Sequence, residues 1–181
     1  MKITSCDLAG LRLITPAVFG DHRGFFLESW NQQRYREAGI PLDFVQDNFS
    51  LSARGTLRGL HFQNPMVQGK LVSVWQGEVW DVAVDIRRQS PTFGRWFGVT
   101  LSAENKLQLY VPPGFAHGFV VMSESALFHY KCTDGYSPKD ELGFRWDDPA
   151  IGIPWPVSHP ILSPRDAVSP LFSALPVEKL Y

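Results

Sequence analysis

The chain has 181 residues, of which 44% are hydrophobic and 13% aromatic, enough apolar surface for one well-cored domain spanning 1–181. Seventeen Lys and Arg against eighteen Asp and Glu leave a net charge of −1, which excludes a global field for nucleic acid or anionic membranes. The two cysteines, Cys6 and Cys132, lack CxxC spacing, and the N-terminal run Met1-Lys2-Ile3-Thr4-Ser5-Cys6-Asp7 is interrupted by charge too early for a signal peptide, so the expected setting is reduced and cytoplasmic.

In chain order, short runs rich in β-branched and aromatic residues predict strands at Leu11–Phe19, Gly24–Trp30, Phe44–Leu51, Thr56–Gln63 and Lys70–Trp75. Further runs follow at Glu78–Ile86, Arg95–Ser102, Leu107–Val111, Gly118–Met122 and Ala126–Thr133. About ten strands in one domain imply an all-β sandwich, jelly roll or barrel, with a core over about 11–135. Glu78–Ile86 alternates, setting Trp80, Val82, Val84 and Ile86 on a dry face against Val79, Asp81, Ala83 and Asp85 on a partly polar one. One early helix is expected at Asn31–Ala38, where Asn31 can cap, Gly39 can terminate and Pro41 cannot continue. Half of the fourteen prolines fall from Pro149 onward, so about 149–181 should wrap the barrel as irregular or short helical chain.

Three segments carry candidate chemistry. In Leu57-Arg58-Gly59-Leu60-His61-Phe62-Gln63, strict alternation points Arg58 away from His61, and only a bulge near Gly59 would aim both into one cavity. In Val111-Pro112-Pro113-Gly114-Phe115-Ala116-His117-Gly118-Phe119, the Pro-x-Gly-x-x-His spacing resembles the second cupin motif, whose His is commonly a metal ligand. The partner motif is missing here, because His61-Phe62-Gln63 replaces a His-x-His pair; with fewer than three plausible ligands, no metal is expected, and His117 has a structural reading beside its functional one. In the third segment Tyr130 shares a face with Ala126, Phe128 and Cys132, which suits a core aromatic as well as a proton donor inside a barrel.

These segments, together with Phe19–Ser29, Phe44–Ser50, Gly69–Val72, Asp81–Asp85, Ser90–Gly94, Trp146–Pro156 and Leu162–Asp166, resemble the dTDP-4-dehydrorhamnose 3,5-epimerases in order and spacing over nearly the whole chain. The resemblance implies a double-stranded β-helix, the jelly-roll cupin barrel, a homodimer without cofactor, and a dTDP-4-keto-6-deoxyhexose substrate. It implies His61 as base oriented by Asp166, Tyr130 as acid, and Lys70 and Arg58 as substrate contacts. Arg23, Glu28, Gln46 and Asn48 match residues that hold the nucleotide or shape the pocket, some presented across the dimer; His117 and Tyr136 complete the expected substrate-binding set. Two departures are Gly135, where an aromatic is usual, and Arg165, where Lys is common.

Such a set fits inversion beside a ketone, which needs a base, an acid and a charge that holds an enolate; Lys70 is the expected clamp for that charge. Related barrels that invert one carbon, or isomerise the ketone, use similar equipment. A carbohydrate-binding cupin without catalysis would not need base, acid and anion clamp together, and a metal-dependent cupin oxygenase would need the ligands that are missing.

Overall fold

The computed structural model describes residues 1–41 and 43–181. Among them, strands β1 (Lys2–Ser5), β2 (Arg12–Thr15), β5 (Gln46–Ala53), β7 (Lys70–Gln76), β10 (Gln108–Val111) and β12 (Ser125–Cys132) form a six-stranded sheet in the order β1-β2-β10-β7-β12-β5. A five-stranded sheet follows the order β13-β6-β11-β8-β9, from β6 (Leu57–Gln63), β8 (Glu78–Asp85), β9 (Trp96–Ser102), β11 (Phe115–Val121) and β13 (Glu141–Gly143). Strands distant in sequence are neighbours in both sheets and the ladders are antiparallel, which is the crossed connectivity of a jelly roll. The remaining strands, β3 (Val18–Asp21) and β4 (Gly24–Leu27), make a separate hairpin.

The inner faces of the sheets meet in a core of Val72, Val74, Val79, Ala83, Leu101, Leu109, Phe115, Phe119 and Phe128. Phe119 and Phe128, from opposite sheets, stack with centroids 4.0 Å apart. Burying such side chains contributes about 1.5–3 kcal/mol each, and this cross-sheet packing sets the spacing of the walls between which any ligand must fit.

The dry face predicted for the Glu78–Ile86 run is borne out, but its partly polar face needs correction: it is buried too, with Asp81 and Asp85 fully inaccessible. Val79 and Ala83 point into the barrel core, while Val82, Val84 and Ile86 pack outward against Phe144, Ile151, Ile153 and Leu175 of the C-terminal region. The proline-rich tail therefore acts as a second apolar layer over the five-stranded sheet. It contains one short helix, α2 (Pro164–Ala167), and two single 3-10 turns. The early helix appears as α1 (Gln32–Glu37), with Asn31 Oδ1 accepting the Arg34 N–H at 3.1 Å, and its Tyr35 packs with Ile40 against Ile14, Leu71 and Tyr110 of the six-stranded sheet.

Other differences have simple causes. The single strand expected over Leu11–Phe19 is two, because Pro16 interrupts the ladder between β2 and β3. Strand β11 begins at Phe115, so His117 lies inside a fully buried strand rather than in the turn. The short edge strands β1 and β13 lie outside the predicted 11–135 core span yet join its sheets; three or four residues are too few for a readable alternation.

Candidate active site

The expected break near Gly59 is present, and it decides which side chains share a cavity. Opposite strand β11, His117 pairs with His61 and Phe119 with Arg58, so β6 carries one residue more than its partner over that interval. Gly59 has φ of +131°, and a Cβ there would stand 2.5 Å from Gly118 Cα. Only glycine permits that crossing. As a result Arg58 and His61 line the same chamber instead of facing apart.

Two chambers lie side by side and share part of their lining. An outer chamber of about 340 Å³ is lined by Gln46, Asn48, His61, Gln63, Gln68, Lys70, Tyr130, Cys132, Tyr136 and Glu141. A deeper one of about 100 Å³ is lined by Ser50, Arg58, His61, Lys70, His117, Phe119, Phe128 and Tyr130. His61, Lys70 and Tyr130 belong to both. His61 comes from the five-stranded sheet, whereas Lys70 and Tyr130 come from adjacent strands of the six-stranded sheet, so imidazole and phenol stand on opposed walls.

His61 is held by a carboxylate that the tail delivers. Ile161 accepts the Leu57 N–H and donates to Gly55 O, tying the tail to the start of β6. Ser163 then caps α2, accepting the Asp166 N–H at 3.0 Å, with Pro164 in the first helical turn. The resulting turn places buried Asp166 Oδ1 at 2.6 Å from His61 Nε2. Burial works to raise the Asp166 pKa, but the contact with His61, helped by hydrogen bonds from Ser163 and the Gly59 backbone, outweighs it and holds the carboxyl below its ordinary value. A carboxylate there fixes the imidazole tautomer and leaves the other ring nitrogen for a substrate.

On the facing wall, burial pushes the Tyr130 phenol above its ordinary pKa, so it keeps its proton at neutral pH. Burial also holds the Lys70 ammonium below its usual value, partly offset by Cys132, Glu141 and Asp81. Lys70 Nζ lies 6.0 Å from the Tyr130 ring centroid. His117 is buried in the deep chamber, with Nε2 2.9 Å and 3.0 Å from the two oxygens of Asp81. Arg58 Nε donates to Ser52 Oγ at 3.1 Å.

The glutamines shape the rim. Gln46 Oε1 accepts the Tyr136 N–H, Gln63 Oε1 accepts the Ser137 N–H, and Gln68 Nε2 donates to Asp134 O. Tyr136 OH in turn donates to Glu141 Oε2 at 2.7 Å, and Arg165 pairs with the same carboxylate. Sequence reasoning missed Glu141, Gln63, Gln68, Ser50 and Asp81 as parts of this site. Glu141 sits on a three-residue strand with no pattern to flag it, while Asp81 showed a signal in being a carboxylate on a strand otherwise built for burial.

Arg23 and Glu28 are not brought to the cavity within one chain. Arg23 pairs with Asp21 on the exposed β3–β4 hairpin, and Glu28 pairs with Arg34 of α1. Cys6 and Cys132 are both free. Among the described residues, no group of three or more His, Cys, Asp or Glu is arranged to hold a metal ion, and no helix is long and apolar enough to cross a membrane.

Taking a proton from beside a carbonyl and returning one from the other side needs a base and an acid facing each other across a sugar-sized space, so this barrel falls in the class of acid–base isomerases on the cupin fold. The model of the dTDP-4-dehydrorhamnose 3,5-epimerase family matches residues 5–174. An epimerase of that name from Salmonella typhimurium is 59% identical over 174 residues, covering 94% of this chain and 95% of the relative. Another from Pseudomonas aeruginosa is 55% identical over 175 residues, covering 96% and 97%. The crystal structure of a dTDP-6-deoxy-D-glucose-3,5-epimerase from Legionella pneumophila Philadelphia 1 in complex with dTDP-4-keto-L-rhamnose superimposes with a TM-score of 0.96, at 52% identity, covering 99% of this chain and 96% of that one. This chain belongs to the dTDP-4-dehydrorhamnose 3,5-epimerase family, whose members are isomerases.

Proposed function

We propose that this chain converts dTDP-4-dehydro-6-deoxyglucose to dTDP-4-dehydrorhamnose by inverting carbons 3 and 5, as a step in deoxysugar biosynthesis. The observation that carries the reading is the His61–Asp166 contact of 2.6 Å, set across the cavity from the protonated Tyr130 phenol. His61 takes the carbon proton, and the Asp166 carboxylate stabilises the imidazolium that forms. The Lys70 ammonium holds the enolate oxygen, an interaction stronger in the transition state than in the ketone and so able to lower the barrier. Tyr130 returns a proton from the opposite wall. Arg58 contacts the substrate from the deep chamber, His117 closes the floor beneath the sugar, and Asn48, Gln46 and Tyr136 shape the nucleotide end. Neither a cofactor nor a metal takes part, and turnover should survive chelation.

Arg23 and Glu28 reach the nucleotide from a second copy of the chain. The hairpin that carries Arg23 supports this, since Phe19, Phe25 and Phe26 are each more than 60% exposed, and Phe49 and Leu51 on the edge strand β5 are exposed as well. Solvated aromatic surface, together with an open sheet edge, favours association about a two-fold axis. The protein is thus a cytoplasmic homodimer of a single 1–181 epimerase domain, and light scattering should give twice the 20.4 kDa chain mass.

The direct test is incubation with dTDP-4-dehydro-6-deoxyglucose in deuterated water, followed by NMR. Deuterium at both carbon 3 and carbon 5, with the inverted product, is the expected result. Label and inversion at one carbon alone would reduce the activity to a single-carbon epimerase, and no exchange would leave a binding protein.

A further inference from the structure

Asn48, Ser50 and Ser52 are successive inward side chains of β5, the first two lining the cavity, and their hydrogen bonding differs. Asn48 donates Nδ2 to Cys132 Sγ at 3.7 Å and accepts Gln46 Nε2 at 2.9 Å. Ser52 Oγ accepts Arg58 Nε. Between them stands Ser50, whose Oγ is buried without a protein partner, alone in this among the buried side-chain nitrogen and oxygen atoms of the described residues.

Taking a hydroxyl out of water without a hydrogen bond opposes folding, and such groups are rare enough to call for a physical reason. Alanine would fill the same place with no such cost. The position of Ser50 supplies a reason. Strand pairing sets it opposite Phe128, one inward step beyond the pairing of Asn48 with Tyr130, and it lines the deep chamber with Arg58, Lys70, His117 and Tyr130. Arg58 and Lys70 carry donors only, so neither can accept the Ser50 proton. His117 Nδ1 and the Tyr130 phenol oxygen could accept it, but neither lies within hydrogen-bond distance of Ser50 Oγ. With no protein acceptor in reach, a ligand entering the deep chamber is placed to supply one.

Resting on the epimerase reading above, we propose that Ser50 is a specificity-determining contact whose hydroxyl donates to an oxygen of the hexose ring. The hexose rather than the nucleotide is indicated because the deep chamber shares His61, Lys70 and Tyr130 with the outer one but none of the rim residues Gln46, Tyr136 and Glu141. A site built to hydrogen-bond a substrate oxygen discriminates strongly against analogues that lack it.

The test combines three measurements on Ser50→Ala, with Ser50→Thr as the variant that keeps a hydroxyl. The free protein should melt at the same temperature or higher, since an unpartnered hydroxyl has been removed. Affinity for dTDP alone should be unchanged. The kcat/KM for dTDP-4-dehydro-6-deoxyglucose should fall by about tenfold, the scale of one hydrogen bond to a buried polar group, and Ser50→Thr should recover part of it. Turnover within twofold of wild type would overturn the proposal. So would an equal loss of dTDP affinity, which would place Ser50 on the nucleotide, or a lowered melting temperature that accounts for the activity loss. Should wild-type protein itself fail to turn over the keto sugar, the epimerase reading fails; an active wild type with an indifferent Ser50→Ala removes Ser50 alone.

Discussion

Two histidine–aspartate pairs face one cavity, and they are built in opposite ways. His117 and Asp81 lie on adjacent strands β11 and β8, with side chains only 6% and 0% exposed, and both carboxylate oxygens are within hydrogen-bond reach of the ring. His61 keeps 27% of its side chain open to the cavity, and its carboxylate arrives from a turn 105 residues later in the chain. The inner pair is locked by strand pairing and removed from water. The outer pair has an accessible imidazole whose orientation depends on the packing of the tail. On the proposed reading, identical residue types serve a rigid floor in one case and a proton acceptor in the other, and the variable that separates them is access rather than chemistry.

The largest expected effect separates the two directly. His61→Asn should lower both solvent exchange and inversion by about a thousandfold or more, because without a base the carbon proton never leaves. His117→Asn should retain measurable exchange in the same deuterium assay. Equal losses in the two variants would erase the distinction between floor and base.

Stability should show the reverse order. Asp81→Asn breaks a fully buried pair and should cost about 3 kcal/mol in urea unfolding, whereas Asp166→Asn, at a more open pair, should cost less. A larger loss for Asp166→Asn would mean that the tail contact, not the strand pair, holds the barrel together.

Tyr130→Phe tests the opposed wall. It keeps His61 and the Lys70 clamp, so deuterium should enter the sugar faster than inverted product accumulates, as the enolate recovers its proton on the His61 side. Parallel loss of exchange and inversion would make Tyr130 necessary for deprotonation or binding. The effect on exchange should be smaller than that of His61→Asn.

The smallest effect concerns acid. Asp166 has a folded-state pKa below its unfolded value, so its contribution to stability is fully present above the ordinary aspartate value of about 3.9 and is lost as pH falls through the folded value. Unfolding midpoints of wild type should therefore fall more steeply below about pH 4 than those of Asp166→Asn. Parallel curves would show that the His61 contact does not perturb this carboxyl.

Much of this architecture was legible along the chain. Runs rich in β-branched and aromatic residues marked ten of the strand regions, the Asn31 cap and Gly39 bounded α1, and the proline density announced a tail without a ladder. Residue types alone left His61, Tyr130 and Lys70 with structural or surface readings, and it was the co-linear resemblance over nearly the whole chain that marked them as expected base, acid and clamp. The glycine at position 59 also signalled a bulge, since strict alternation would have separated Arg58 from His61.

Local pattern could not reveal pairings across long stretches of chain. That Asp166 meets His61 depends on Ile161 hydrogen-bonding beside β6 and on the tail packing over Val82, Val84 and Ile86. That Asp81 and Asp85 lie buried inside, on the face expected to be partly polar, depends on both faces of β8 being covered. Ser50 reads in the sequence as one more strand serine, and only the meeting of the two sheets leaves its hydroxyl without a partner at the bottom of a cavity. Periodicity and turn chemistry are set by neighbours in sequence, so the sequence by itself determined the strands, the helix and the cast of reactive groups. Burial, access and hydrogen-bond satisfaction are set by neighbours in space, and only the tertiary structure decided which histidine stays open to work.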